Sequence, residues 1–218
     1  MKRDRARGVS AIEFAFSMLV MGPLVLGTGV MGINMIRALQ VVQLARDAGH
    51  MYARGIDFSL PGNQTVLANL GSNVGLSTTS GQGNAVVIFS QLTYVDKNAC
   101  AAVGAVDASG NPTAACTNYT KWVFAERLSM GNTSVHTSNF GSPSGVTIGS
   151  DGKISASDQA TKAGDQATFS GVNPYSVNNG VASGLPSGQV LYLAEASALG
   201  FNMAPFVGNA KMYEFGFF

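Results

Sequence analysis

From Phe14 to Ile36 the chain carries no charged residue, and this run sets what the rest can be. As an α-helix its 23 residues rise about 35 Å, enough to cross a hydrocarbon core of about 30 Å. Ahead of it stands Met1-Lys2-Arg3-Asp4-Arg5-Ala6-Arg7-Gly8, in which four of eight residues are basic. Basic flanks stay on the cytoplasmic side. The expectation is a single-pass protein of a bacterial inner membrane, its N-terminus cytoplasmic and its C-terminal part periplasmic. Arg37 closes the run on the far side. A cleaved secretory signal has the same polarity, but its apolar core is usually shorter and a small-x-small site should follow. No convincing site follows here, and Glu13 at the start of the run is foreign to such a signal.

Charge divides the chain in two. Residues 1–55 hold seven Lys/Arg and three Asp/Glu; residues 56–218 hold six and nine. A slightly acidic exported part lacks the basic patch that nucleic acid requires. That part is rich in Gly, Ser, Asn and Thr, the composition of strands joined by many turns. Its two cysteines, Cys100 and Cys116, are too few and too far apart for a redox pair or a zinc set. In an exported domain the default is one disulfide, closing a loop around Ser109-Gly110-Asn111-Pro112.

Periodicity supplies the elements. Val41, Leu44, Ala45, Ala48, Met51 and Tyr52 recur at spacings of three and four, with Arg46, Asp47 and Arg54 largely off that stripe. The membrane helix is thus expected to continue as an amphipathic one and to stop at Gly55. Gly22-Pro23 is expected to kink it, because proline removes a backbone donor and clashes with the preceding turn. Residues 63–73 read as a short helix with Val66, Leu67 and Leu70 on one side. Residues 85–95, 119–128, 190–198 and 210–218 read as strands, the last two joined by a loop containing Pro205. Ser150-Asp151-Gly152 reads as the turn of a small hairpin between 146–148 and 153–155, with most of the remaining 130–188 stretch as loop. The fold class expected is α+β: a long N-terminal transmembrane and amphipathic helix packed on a small, mostly antiparallel sheet with one disulfide-closed loop. Three segments follow, namely a basic leader (1–8), the helix (9–55), and an exported head (56–218) with a Gly/Ser/Asn-rich insertion at about 130–188.

Sites of chemistry are sparse. His50 and His136 have no third ligand or HExxH spacing, and there is no GxSxG or P-loop. No catalytic, cofactor-binding or metal-binding residue and no small-molecule substrate are expected. Asp151-Gly152-Lys153 reads as a turn, and Asp158 and Asp165 as solvated loop acids. Sequons at Asn63, Asn118 and Asn132 are assigned no role. Trp122 is expected in the core; Phe217 and Phe218 stay open between the core and a partner surface.

Glu13 requires an explanation, since an acid entering a bilayer needs a partner. Cleavage after Gly8 would free the amine of Val9, and Glu13 would be the fifth residue of the mature chain, about one helical turn away. In helices packed side by side with a small axial offset, that carboxylate meets a neighbour's amine. A paired burial is far cheaper than either charge alone. The stretch Arg7-Gly8-Val9-Ser10-Ala11-Ile12-Glu13-Phe14-Ala15-Phe16 resembles the prepilin motif of the Flp/Tad (tight adherence) pilus system: a glycine, four residues, then Glu and an aromatic. Residues 7–54 resemble the TadE-like family in particular, through Pro23 midway along the span and Gln40-Val41-Val42-Gln43-Leu44-Ala45-Arg46-Asp47-Ala48-Gly49 after it. A weaker similarity covers Gly188–Glu195 and Tyr213–Phe218.

The resemblance implies a minor pilin or pseudopilin, a structural component and not an enzyme, supporting adhesion and pilus biogenesis. Its partners would be a prepilin peptidase cutting between Gly8 and Val9, and other pilins reached through the N-terminal helix, with Glu13 and Phe14 as the packing motif. Gly27, Gly29 and Gly32 suit close helix approach. Two other readings are a membrane-anchored extracytoplasmic binding or sensor domain, with Gly8 uncut, and an exported hydrolase, for which no nucleophile and base are found.

Overall fold

The computed structural model describes residues 4–169, 188–202 and 210–218, with side chains from Ala11 onward. Helix α1 spans Asp4–Ala53 and runs through Pro23 without interruption. It is followed by α2 (Pro61–Leu70), β1 (Ala85–Tyr94), α3 (Lys97–Ala102), β2 (Trp122–Gly131), α4 (Ala156–Thr161), β3 (Val190–Leu199) and β4 (Lys211–Phe217). The four strands form one antiparallel sheet in the order β2-β1-β3-β4. The chain is therefore α+β, with a long apolar helix on a four-stranded antiparallel sheet.

α1 ends where the sequence supplies a left-handed residue. Gly55 has φ +83°. Its amide donates to the Tyr52 carbonyl at 2.9 Å, and the Ile56 amide donates to the Met51 carbonyl at 3.1 Å. This is the Schellman pairing, which satisfies carbonyls that the helix end would otherwise leave open. Ile56 and Met51 both pack against the core beneath, the hydrophobic contact that accompanies such a cap.

The last third of α1 lies across β3 and β4. Val41, Leu44, Ala45, Ala48 and Tyr52 are buried, against Val87 and Phe89 of β1, Met130 of β2 and Ala194, Ala196 and Ala198 of β3. Alternate residues of a strand share a face, so three alanines at that period let the helix backbone come close to the sheet. Aromatic rings finish the contact. Phe58 stacks on Phe89 with centroids 4.4 Å apart, and Tyr52 meets Phe89 at 5.0 Å and Tyr192 at 5.2 Å. Burying one such ring stabilises by about 1.5–3 kcal/mol.

The opposite face of the sheet is also covered, which explains why β1 is a nearly continuous apolar run rather than an alternating one. Residues 132–169 form that cover. Phe140 and Ile154 pack there on Leu92, Phe124, Leu191 and Leu193, with Phe215 and Phe217 alongside. A bulge in β2 makes this packing possible. The register passes from Gln91↔Glu126 to Leu92↔Phe124, leaving Ala125 as the extra residue. Phe124 and Glu126 then point to opposite faces although they are two apart.

Several expectations are corrected. α2 begins at Pro61, and of Val66, Leu67 and Leu70 only Leu67 is buried; Val66 and Leu70 are exposed, because a single turn of this short helix meets the core. The second strand starts at Trp122 rather than 119 and runs on to Gly131. The stretch from 130 to 169 is more than loop. It includes α4, whose Ser155 cap accepts from the Asp158 amide at 3.1 Å, and a 3-10 turn at Ala163–Asp165. The small hairpin expected at Ser150-Asp151-Gly152 is present, with Ile148 bridged to Ile154 and Gly152 at φ +82°. Residues 170–187 of the expected insertion, and Pro205, lie outside the described residues.

Candidate functional site

α1 is two helices in chemical terms. Between Ala11 and Leu39 nearly every apolar side chain is exposed, among them Ile12, Phe14, Phe16, Leu19, Val20, Leu24, Met31, Met35 and Ile36. Within the described residues this one helix is long and apolar enough to cross a membrane. A bare apolar face of that size is a binding surface, for lipid or for other helices. Glu13 and Phe14 are both exposed on it. Gly8 and Val9 fall within α1, with side chains outside the described residues. Pro23 is exposed, and one turn further on the Thr28 hydroxyl donates to the carbonyls of Leu24 and Val25 at 3.0 and 2.9 Å. Gly27, Gly29 and Gly32 face open space.

Polar and aromatic contacts tie the second half of α1 to the head. At the far end, Tyr52 donates to Glu126 of β2 at 3.0 Å, and burial pushes the pKa of both groups up. One turn earlier the C-terminal Phe218 lies over Gly49 and meets the His50 ring edge-on at 4.8 Å. Arg37 Nη1 donates to the Leu199 carbonyl at 3.2 Å. Asn34 pairs with the backbone of Phe201, its Oδ1 accepting from the amide at 2.7 Å and its Nδ2 donating to the carbonyl at 3.3 Å. Phe217, in contrast, packs on the far side of the sheet, so the two terminal rings serve opposite faces. Trp122 also joins the far-face cluster, 5.6 Å from Tyr94 and 6.3 Å from Phe169.

Beneath the far-face cover lies a polar network that sequence reasoning missed. Glu195 of β3 is buried. It accepts from Ser138 Oγ, from the Asn139 amide at 3.0 Å and from Tyr213 Oη at 2.8 Å, with Arg127 Nη1 at 4.0 Å. Arg127 also donates to Ser90 Oγ and to the Gly141 carbonyl, and lies over the Phe124 ring. The His136 ring lies tilted against Tyr213 with centroids 4.4 Å apart, and burial lowers its pKa. The Ser138 hydroxyl proton is held by a carboxylate with no exposed face, so the arrangement anchors residues 138–142 onto the sheet. Charged hydrogen bonds of this kind are the strong ones.

A second hub sits at the edge of β2. Asn118 is buried, donating to the carbonyls of Gln159 and Lys162 at 2.8 and 2.7 Å and accepting from Gln166 Nε2 at 2.8 Å. The sequon asparagine is thus a structural tie. Asp165 is not a solvated loop acid: it is fully buried, and neither carboxylate oxygen has a hydrogen-bond partner. Burial, reinforced by the charge of Asp158, pushes its pKa up to about 7. Asp158 is half-buried and accepts from the Thr147 amide at 3.1 Å. Cys100 and Cys116 form the expected disulfide, Cα atoms 5.7 Å apart, buried with Val95, Val123 and Ala160. Among the described residues no group of three or more His, Cys, Asp or Glu side chains is arranged to hold a metal ion. Comparisons with protein-family models, with curated proteins and with solved structures return no match.

Proposed function

We propose that this chain is a pilin-like structural subunit of a Flp/Tad pilus or secretion apparatus, of the TadE-like kind. It enters the inner membrane through α1, with its N-terminus in the cytoplasm and its head in the periplasm. A prepilin peptidase cuts after Gly8, and the mature helix packs against helices of other pilins. Glu13 neutralises the freed amine of a neighbouring Val9, and Phe14 fills the adjoining helix surface. One observation carries the reading: the Gly8-to-Glu13 spacing stands at the start of a helix whose first part is bare and apolar and whose last part is built into a head. Such a division presents the N-terminal half for lateral packing while the head keeps its own core.

The test is the N-terminal residue of the protein recovered from membranes of a host that makes a prepilin peptidase, read by sequencing or intact mass. The mature chain starts at Val9. Recovery of only the full-length chain would instead favour a tethered binding domain.

A further inference from the structure

We propose that Gly200 and Phe201, where the chain turns off β3, rest on the outer surface of the phospholipid bilayer, with Phe201 in the interface and Asn34 at the level where lipid gives way to protein along α1. The inference rests on the membrane-spanning part of the reading above and is independent of cleavage or pilus assembly.

The uncharged run extends to Ile36, but the head meets the helix before that. Asn34 is paired with Phe201, and Arg37 reaches the Leu199 carbonyl. A bilayer around the last turns of the run would therefore have to include the head's own backbone. Counting from the other end gives the same boundary. Glu13 marks the inner limit, and the 20 residues from Phe14 to Ile33 rise about 30 Å, one hydrocarbon thickness.

The polar chemistry fits that depth. An asparagine side chain, or a backbone amide and carbonyl, is costly to hold in hydrocarbon without partners. Here they satisfy one another: a single carboxamide takes both backbone groups of Phe201. Gly200 lets the turn come in this far, since a Cβ there would lie 3.0 Å from Asn34 Oδ1 and 3.0 Å from the Ala210 carbonyl oxygen. With its backbone neutralised, the turn offers lipid an aromatic ring that is 40 % exposed. An apolar ring suits the edge of the hydrocarbon, and a long cation near the end of a span reaches out to the headgroups. Arg37 supplies that cation, on the headgroup side of Asn34.

The experiment uses the full chain, uncut at Gly8, in phosphatidylcholine vesicles. Trp122 is the single tryptophan, so Trp122→Phe with Phe201→Trp places the only indole in the turn. Emission should fall about twofold when the lipid is brominated near the headgroup, and less when bromine sits at the chain ends, as an interfacial ring requires. The native Trp122 should be unaffected by either lipid. A Phe201→Cys chain carrying an environment-sensitive fluorophore, with Trp122 retained, should report the same depth and covers any folding defect of the double variant. Equal emission in brominated and plain vesicles, or a fluorophore in bulk water, would overturn the proposal while leaving the pilin reading untouched.

Discussion

At Gly49 one methyl group separates two opposing effects. An alanine Cβ would lie 2.0 Å from the Phe218 ring, so the ring must leave. Phe218 is half-buried, so this forfeits up to about 2 kcal/mol of aromatic burial, against about 1 kcal/mol gained by replacing a helical glycine. Gly49→Ala should thus lower stability by about 1 kcal/mol. In a Phe218→Ala background the same change should raise stability by about 1 kcal/mol. Urea unfolding followed by Trp122 emission reads both; a destabilising Gly49→Ala in the second background would show that Phe218 is not what the glycine accommodates. Asp165 makes a pH-dependent prediction. Its folded pKa, about 7, lies above the unfolded value of about 3.9, so the native state binds the extra proton. The stability this gives is fully present below about pH 4 and is lost as pH rises toward 7. Asp165→Asn keeps the shape without the charge. It should raise stability at pH 8 by about 1–3 kcal/mol and flatten the slope between pH 4 and 7. An unchanged slope would mean that the carboxyl is solvated in the folded protein.

Elements were legible where period and neighbours in sequence determine them. The stripe from Val41 to Tyr52 is buried as its spacing of three and four requires, and β1 begins at Ala85 as its β-branched run suggests. The disulfide followed from composition and compartment. What remained hidden depends on partners far apart in the chain. Ser138 reaches Glu195 across 57 positions, and Asn34 reaches Phe201 across 167. No local pattern announces either. Asn34 was visible only as a polar residue within the uncharged run, and Asp165 looked like any loop acid because its burial comes from a cover with no periodicity. The bulge at Ala125 similarly reverses the faces of β2 without a glycine to mark it. The cysteine loop allows an element-scale test. Its bond joins residues 16 apart, and closure of such a loop is worth about 3 kcal/mol. Cys100→Ser with Cys116→Ser should lose about that much in urea unfolding, while α1 still inserts into membranes. A doubly substituted chain as stable as the parent would mean that α3 and the Val106–Pro112 bridge hold the loop unaided.

On the scale of the molecule, the division of α1 is the main physical fact. One part is a largely exposed apolar surface, and the other is the spine of a two-faced sheet domain. The head stabilises itself through the Tyr52 aromatic cluster on one side and the Glu195 network on the other. Its core is closed without the bare part, as the proposed function requires of a head that stands above a bilayer and later above a bundle of helices. In that bundle the proposed partner of Glu13 is a neighbour's Val9 amine. The direct test is zero-length cross-linking with a membrane-permeant carbodiimide in a host where the leader is cut. The account predicts a covalent dimer whose linking peptide joins Val9 of one chain to Glu13 of the next, and which disappears in Glu13→Gln. Functional protein that yields only monomer, or dimers linked elsewhere, would contradict it.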